Sequence, residues 1–482
     1  MKKQIVSDFK KSFNFDKNQS SRGIGIECEI PIVDKKGNAV SLPIVQQMFT
    51  YLASLGFELE KDKFSDLFIA AKKTNKKSSS KYKFCTDLIT TDTGYSIIEV
   101  VLAPQNNLQA IESKLMDLLF LLTTFFENQN CFLLGYGIQP LTYPSRKMQM
   151  PQERYSFFEK FSTNNIIPKD KGTDSSFLNI TASSQCHIEI SADDAIKATN
   201  VLNAFSGLQI ALHANSPIWG GAIDTKHKAK REMVWDFCFP DRLNQIGIPP
   251  VFDSKEMYIE YLLNFKPLVV KRNKQYYKIL NKNTFNEFLE NTTPTIGSSL
   301  AGKKETIKPH TDDIQQLIPF SWFNARLVPK YGTIESRMCC QQPLSEMLTP
   351  VALTLGLIEN LEAAKKLMEK YPIEKWRDIR NNTAQNTLNT FIDGESIIPL
   401  VLQLVNIANE GLKKRNLQEE IFLKPLYKRI KERKSPADLA IQIFKNKGIN
   451  GLIEYTSFNK EAFSPKHQNL YKNTLKSVIN ND

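Results

Sequence analysis

The 482-residue chain lacks any uninterrupted apolar run of about 18 residues, the length a membrane-spanning helix requires. Its opening, Met-Lys-Lys-Gln-Ile-Val-Ser-Asp, has no apolar core of the kind that marks a secretory leader. Seven unevenly spaced cysteines supply neither a Cys-x-x-Cys pair nor a Cys/His zinc spacing, and the adjacent Cys339 and Cys340 are poorly placed to bridge each other. No recognised nucleic-acid module occurs, nor any aromatic-basic repeat of the type that stacks bases. These absences argue against a disulfide scaffold, a zinc module, a membrane partner and a nucleic-acid partner. The expected location is cytoplasmic. The net charge of +12 is diffuse, with concentrations at 72–83, 226–231 and 424–434, and suits small anionic substrates. Hydrophobic content of 41% is enough for a sizeable core, in one large unit or two intimate lobes.

What is present centres on Arg22-Gly-Ile-Gly-Ile-Glu-Cys-Glu-Ile-Pro31. As a strand it places Ile24, Ile26, Cys28 and Ile30 on one face, with Gly25, Glu27 and Glu29 on the other. Taken alone, such a strand fits the wet side of an antiparallel sheet. The pattern then recurs. Ile89–Leu102 carries Asp92 and, seven residues on, Glu99; Gln185–Ile190 sets His187 and Glu189 on one face; Gly332–Met338 sets Glu335 beside Arg337. If these faces line one cleft, each carboxylate pair at 4 Å repels by about 4 kcal/mol at an effective dielectric of 20. A cation must offset that, and carboxylates with substrate phosphates suit Mg²⁺.

Along the chain, residues 1–20 read as a mobile or helical lead-in. Helices are expected over 43–55, 108–127 and 193–205, a strand pair over 57–71, and a loop over 211–221. Residues 251–290 read as mixed helix and hairpin, and 291–312 as a loop over the site or a lobe boundary. Gly297-Ser-Ser-Leu-Ala-Gly-Lys-Lys304 differs at one position from a phosphate-binding loop, which needs Ser or Thr after its first Lys. No strand precedes it in the sequence pattern, so it is read as a decoy. The basic run 72–83 is expected to be a solvated loop. From Pro343 the chain reads as packed helices, one of them opening at Ser435-Pro436 with an N-cap followed by Pro. The expected organisation is a lead-in (1–20), a single catalytic domain (21–457, sheet-rich over 21–342 and helical over 343–457) and a tail (458–482).

The motifs occur together in an order that resembles the glutamate–cysteine ligases of plant and proteobacterial type, within the carboxylate–amine ligase group related to glutamine synthetase. Gly25-Ile-Glu-Cys-Glu29 is similar to that family's Gly-x-Glu-x-Glu strand, and Thr90-Thr-Asp92 with Ile98-Glu99 to its second acidic element. Met150-Pro-Gln-Glu-Arg-Tyr155, Ala214-Asn-Ser-Pro217, Arg231-Glu-Met-Val-Trp235, Pro240-Asp-Arg242, Ile334-Glu-Ser-Arg337 and Gly411–Arg415 follow in order. The resemblance implies an α+β fold: a strongly curved antiparallel sheet of about six strands forming the cleft, wrapped by helices, as in glutamine synthetase. It implies ATP-dependent joining of the glutamate γ-carboxylate to the cysteine amine through a γ-glutamyl phosphate. A related ligase using another acid or amine is the alternative. By resemblance, Glu27, Glu29, Asp92, Glu99 and Glu335 hold Mg²⁺ (or Mn²⁺), with His187 as a further ligand. Arg337 faces the transferred phosphate, Arg231 a phosphate or carboxylate, and Arg154 and Tyr155 the substrate pocket. ATP is the co-substrate, and the protein is expected to be a monomer or homodimer.

Overall fold

The computed structural model describes residues 1–16, 21–74, 85–267 and 269–464. The alternation in the first acidic segment becomes β1 (Ile24–Asp34), the centre of the principal sheet. The other strands are β2 (Glu58–Lys61), β3 (Phe68–Thr74), β4 (Thr86–Thr91), β5 (Ile97–Gln105), β6 (Cys131–Leu133), β7 (Ser183–Glu189), β8 (Ala325–Val328) and β9 (Thr333–Cys340). Their order is β8-β9-β7-β1-β5-β4-β3-β2, with β6 paired to the far end of β1, and every neighbouring pair is antiparallel. The sheet thus has nine strands where about six were expected. Of these, β2 is one half of the strand pair expected over 57–71, whereas β8, four residues long, is too short to display alternation. Breaks of register in the β1–β5, β7–β9 and β2–β3 pairings bend the sheet.

One face of this sheet is apolar and packed. Ile24, Ile26, Cys28 and Ile30 from β1, Ile98, Val100 and Leu102 from β5, and Cys186 and Ile188 from β7 are buried. Helices cover that face. The helix Leu108–Asn128, capped by the Asn107 side chain accepting from the Ala110 N–H, packs on β5 and β6. The helix Thr349–Glu359 is apolar nearly all round and lies between β7 and the helix Ile398–Lys414. Gly356 and Gly411 make that last crossing possible: a Cβ at Gly411 would lie 1.9 Å from the Gly356 carbonyl oxygen.

Several segments differ from expectation. Residues 89–102 form a hairpin, β4 and β5, with Asp92 in the turn rather than on a strand. The lead-in takes the helical one of its two expected forms, Lys2–Lys11, and its Ile5 and Phe9 enter the core together with Phe13. Apolar spacing every three to four residues explains this, although the segment is Lys-rich overall. The expected loop at 211–221 begins late, because the helix Ser206–His213 continues into it. Residues 291–312 are not a loop over the site. They contribute Thr295–Ser298 and Lys304–Ile307 to a separate four-stranded antiparallel sheet with Val269–Arg272 and Gln275–Ile279. Within it Gly297–Lys304 is a hairpin, Ser299 N–H donating to Lys303 O, and no helix follows to make a phosphate loop.

After β9 the chain is almost entirely helical, closing with Pro436–Thr456, whose Ser435–Asp438 capping box fixes its start. Phe458 and Phe463, inside the expected tail, are buried. Residues 465–482, and residues 75–83 of the basic run, lie outside the described residues. Among the described residues, no helix is long and apolar enough to cross a membrane.

Candidate active site

In an antiparallel sheet, directly paired residues point to the same side. The register of β1 therefore decides which side chains share its second face, and three cross-strand rows result. Arg326, Glu335, His187 and Gly25 form one row across β8, β9, β7 and β1. Gln185, Glu27, Val101 and Leu88 form the next, across β7, β1, β5 and β4. Glu29, Glu99, Thr90 and Ala70 form the third, across β1, β5, β4 and β3. Segments more than 300 residues apart in sequence thus place their acids on one surface. Gly25 leaves the row open: a Cβ there would stand 3.5 Å from that of His187.

Two adjoining hollows lie over these rows. A polar one of about 240 Å³ is lined by Glu27, Glu29, Asp92, Glu99 and Gln185, and by the cations Arg154, Arg231, Arg326 and Arg337, with Tyr155, Trp235 and Trp322 among its walls. A second, of about 360 Å³, shares Glu27 and Glu99 but is walled by Leu88, Val101, Pro104 and Tyr331, with His187 and Thr333. Glu27, His187 and Glu335 offer ligand atoms all within 4.8 Å of one another. His187 Nε2 is 3.0 Å from Glu27 Oε1, and its Nδ1 is 3.1 Å from Thr333 Oγ1. With Nδ1–H donating to Thr333, Nε2 donates its proton to Glu27 here, and a cation replacing that proton would meet the Nε2 lone pair. Glu29, Asp92 and Glu99 share the cleft, but among the described residues they do not converge with that trio on one point.

The carboxylates are held unequally. Glu335 is almost wholly buried, which opposes its charge, but Arg326, Arg337 and His187 outweigh burial and hold it well below the usual carboxylate range. Arg326 grips it through two nitrogens, at 2.6 and 3.2 Å, and Arg337 NH1 donates to it as well. Glu29 is satisfied differently, accepting from the Ser183 N–H and from Gln185 Nε2, both at 2.7 Å. Burial, then Glu29, push Asp92 up to about 7, against the pull of the Thr93 N–H, Arg231 and Arg337. Burial together with Glu27, Asp92 and Glu29 drives Glu99 far up. These two acids lack sufficient positive charge beside them. The donor set therefore fits a hard divalent cation, which would relieve that repulsion.

All ten residues singled out in the sequence surround this region: Glu27, Glu29, Asp92, Glu99, Arg154, Tyr155, Arg231 and Arg337 line the polar hollow, and His187 and Glu335 complete the row beside it. Sequence reading passed over Gln185 and Arg326. Gln185 bridges Glu29 and Arg337, the latter donating to its Oε1 at 3.0 Å. Alternation with His187 could have found it. Arg326 sits on the four-residue β8, where no pattern signals it. Arg231 is fastened from behind: NH1 donates to Arg337 O and to Glu232 Oε2 at 3.2 Å, and Glu232 in turn accepts from Asn324 and Arg380.

Comparison with known proteins bears on the chain's family and fold. The chloroplastic glutamate–cysteine ligases of Medicago truncatula and Solanum lycopersicum are 23% and 24% identical to it over 355 residues, 72% of this chain. The match spans just under two thirds of those relatives, 65% and 64% of their length. A solved glutamate–cysteine ligase from Francisella tularensis in complex with AMP superposes with a TM-score of 0.54 at 12% identity, covering 97% of this chain and 95% of that one, which shows a common fold. The profile of glutamate-cysteine ligase family 2 (GCS2) matches residues 23–457, almost the whole of the described fold, and the chain belongs to that family.

Proposed function

We propose that the protein is an ATP-dependent glutamate–cysteine ligase, making the γ-glutamyl dipeptide that begins glutathione-type thiol synthesis. The observation that carries this reading is the set of three cross-strand rows, which gather Glu27, Glu29, Glu99 and Glu335 on one face beside Arg231, Arg326 and Arg337. Amide formation from a free carboxylate is uphill in water, so the carboxylate is activated first. A γ-carboxylate oxygen of glutamate attacks the γ-phosphorus of ATP, the bond to ADP breaks, and a γ-glutamyl phosphate results. The cysteine amine then attacks the acyl carbon, phosphate departs, and the nitrogen gives up a proton.

The residues divide accordingly. Leu88, Val101, Pro104 and Tyr331 offer an apolar slot for the purine, next to the acids. Glu27, His187 and Glu335, with Glu29, Asp92 and Glu99 alongside, would hold Mg²⁺ or Mn²⁺, which would supply charge neutralisation and orientation for the triphosphate. Arg337 is aimed toward charge on the moving phosphoryl group, where a fixed guanidinium stabilises the transition state without reorganising. Arg231, held by Glu232 and the Arg337 carbonyl, and Arg154 with Tyr155 are suited to the substrate carboxylates.

Phosphate release with four pairs, glutamate or glutarate against cysteine or 2-aminobutyrate, tests the assignment. An apolar acceptor pocket separates near-isosteres by only about 1–3 kcal/mol, so 2-aminobutyrate should stay within roughly 200-fold of cysteine in kcat/KM. Glutarate lacks the ammonium and leaves its buried partners unpaired, so it should be a far poorer donor. Equal use of glutarate would refute the donor. Turnover with some other amine but no amino acid would favour the related-ligase alternative.

A further inference from the structure

A second cleft, of about 580 Å³, shares no lining residue with the polar hollow of the candidate active site. Five cations line it, Lys160, Arg242, Lys266, Lys278 and Lys282, against a single carboxylate, Asp241. Among the described residues Asp241 is the acid partner of Lys266, at 3.4 Å, and of Arg242, at 4.0 Å, while Lys160, Lys278 and Lys282 have no carboxylate partner. Lys278 and Lys160 donate only to carbonyl oxygens, of Lys160 and Leu300, and the buried Lys282 donates to Thr293. Arg242 is only 2% exposed, yet its Nε has no hydrogen-bond partner. Phe161 stands between two of the cations, its ring centroid 4.7 Å from Lys278 Nζ and 5.2 Å from Arg242 Cζ. Burial, and then the neighbouring Arg242, Lys160 and Lys266, make it harder for Lys278 to keep its proton. Converging cations with a buried, half-satisfied guanidinium and walls of low dielectric concentrate a field that one multivalent anion would satisfy.

We propose that this cleft binds a phosphate-chain anion and reports its occupancy to the catalytic cleft. The two clefts are joined by continuous segments of chain. The segment carrying Arg154, Tyr155 and Phe158 into the catalytic cleft continues directly into Lys160 and Phe161 of the second. Likewise the helix Lys230–Cys238, bearing Arg231 and Trp235, runs on to Pro240, Asp241 and Arg242. An anion drawing Lys160, Lys278 and Arg242 together moves the ends of both elements whose other ends face the substrates. Trp235, stacked on Trp322 at 5.3 Å, is a built-in reporter of such movement.

The test titrates the full chain calorimetrically with inorganic tripolyphosphate, without ATP or Mg²⁺, so its outcome is independent of the ligase assignment. The double variant Lys160→Gln/Lys278→Gln, checked for an unchanged unfolding transition, should bind at least tenfold more weakly. Arg337→Ala, in the catalytic cleft, should bind within twofold of the parent. Binding should also change tryptophan emission, and Trp235→Phe should remove that change. A parallel titration with ATP identifies the source: equal weakening in the double variant means that the triphosphate of a nucleotide is accepted, and weakening for tripolyphosphate alone means that the free chain is. No binding to the parent, unaltered binding in the double variant, or binding lost in Arg337→Ala instead would overturn the proposal. Binding without any change in emission would overturn its second half.

Discussion

Glu335→Gln and Glu27→Gln are chemically identical changes on one sheet face, and the structure assigns them very unequal consequences for stability. Glu335 is 1% exposed and is the buried counter-ion of two partly buried guanidiniums, those of Arg326 and Arg337. Its removal leaves both uncompensated, and breaking a buried pair in this way costs about 3–5 kcal/mol. Glu27 is less buried, and its only ion pair among the described residues is with His187. It also crowds Glu99, which it helps to drive upward. Neutralising it removes repulsion along with attraction, so the expected change is within about 1 kcal/mol, as for a partly exposed pair. Urea unfolding of the full chain with a chelator, followed by far-UV circular dichroism, measures both without interference from a bound cation. Phosphate release at saturating ATP and Mg²⁺ should be abolished in both variants. Equal stability of the two, in either direction, would refute the view that Glu335 is a structural counter-ion and Glu27 a free ligand.

Arg337→Lys should lower kcat by more than it raises KM for ATP, because a point charge cannot reproduce a planar guanidinium that meets Gln185 and Glu335 through one nitrogen and keeps the others for substrate; unchanged kcat in steady-state assays would confine Arg337 to packing. His213 is fully buried, with Nδ1 2.9 Å from Gln209 O and Nε2 unpartnered, and burial followed by Arg429 pushes its pKa down to about 3. The unfolded chain takes up that proton near pH 6.5 while the folded chain does not, so stability present above pH 6.5 is lost as pH falls toward 3. That amounts to about 2 kcal/mol by pH 5, and His213→Leu should flatten this part of the pH–stability curve from urea unfolding. Gly94→Ala would set a Cβ 1.9 Å from the Asn179 carbonyl oxygen, displacing the turn that holds Asp92. A loss of about 1–3 kcal/mol together with reduced turnover is expected, and wild-type values for both would show that the turn has room to spare.

Much of the cleft was legible because its chemistry sits on strands, where a period of two separates wet from dry side chains. Glu27, Glu29, His187, Glu335 and Arg337 were readable for that reason. Asp92 was found through its motif, but its place in a turn was not, since alternation says nothing about where a hairpin folds back. Arg326 escaped because β8 is four residues long and starts beside an unpatterned Trp-Phe-Asn. The hairpin of the four-stranded sheet within 251–290 was legible, but its other half was hidden by composition: Thr295-Ile-Gly-Ser298 reads as turn material, and only its partners make it a strand. The lysines of the N-terminal segment leave a mobile arm and a helix both open, although Ile5, Phe9 and Phe13 mark the side that is buried.

The row Arg326–Glu335–His187–Gly25 also bears on how the chain finds its fold. These partners come from the first tenth, the second fifth and the last third of the sequence, so the pairing of β1 with β7 and β9 closes very long loops and is intrinsically slow. A sheet assembled slowly is exposed to slippage, and a one-residue slip turns every side chain to the other side. Here a slip of β1 would drive Glu27 and Glu29 into the apolar layer now filled by Ile26, Cys28 and Ile30. The acids that make the face reactive therefore also proofread the register of the sheet. A chain stripped of them would lose its chemistry and, with it, the penalty that rejects misfolded pairings during assembly.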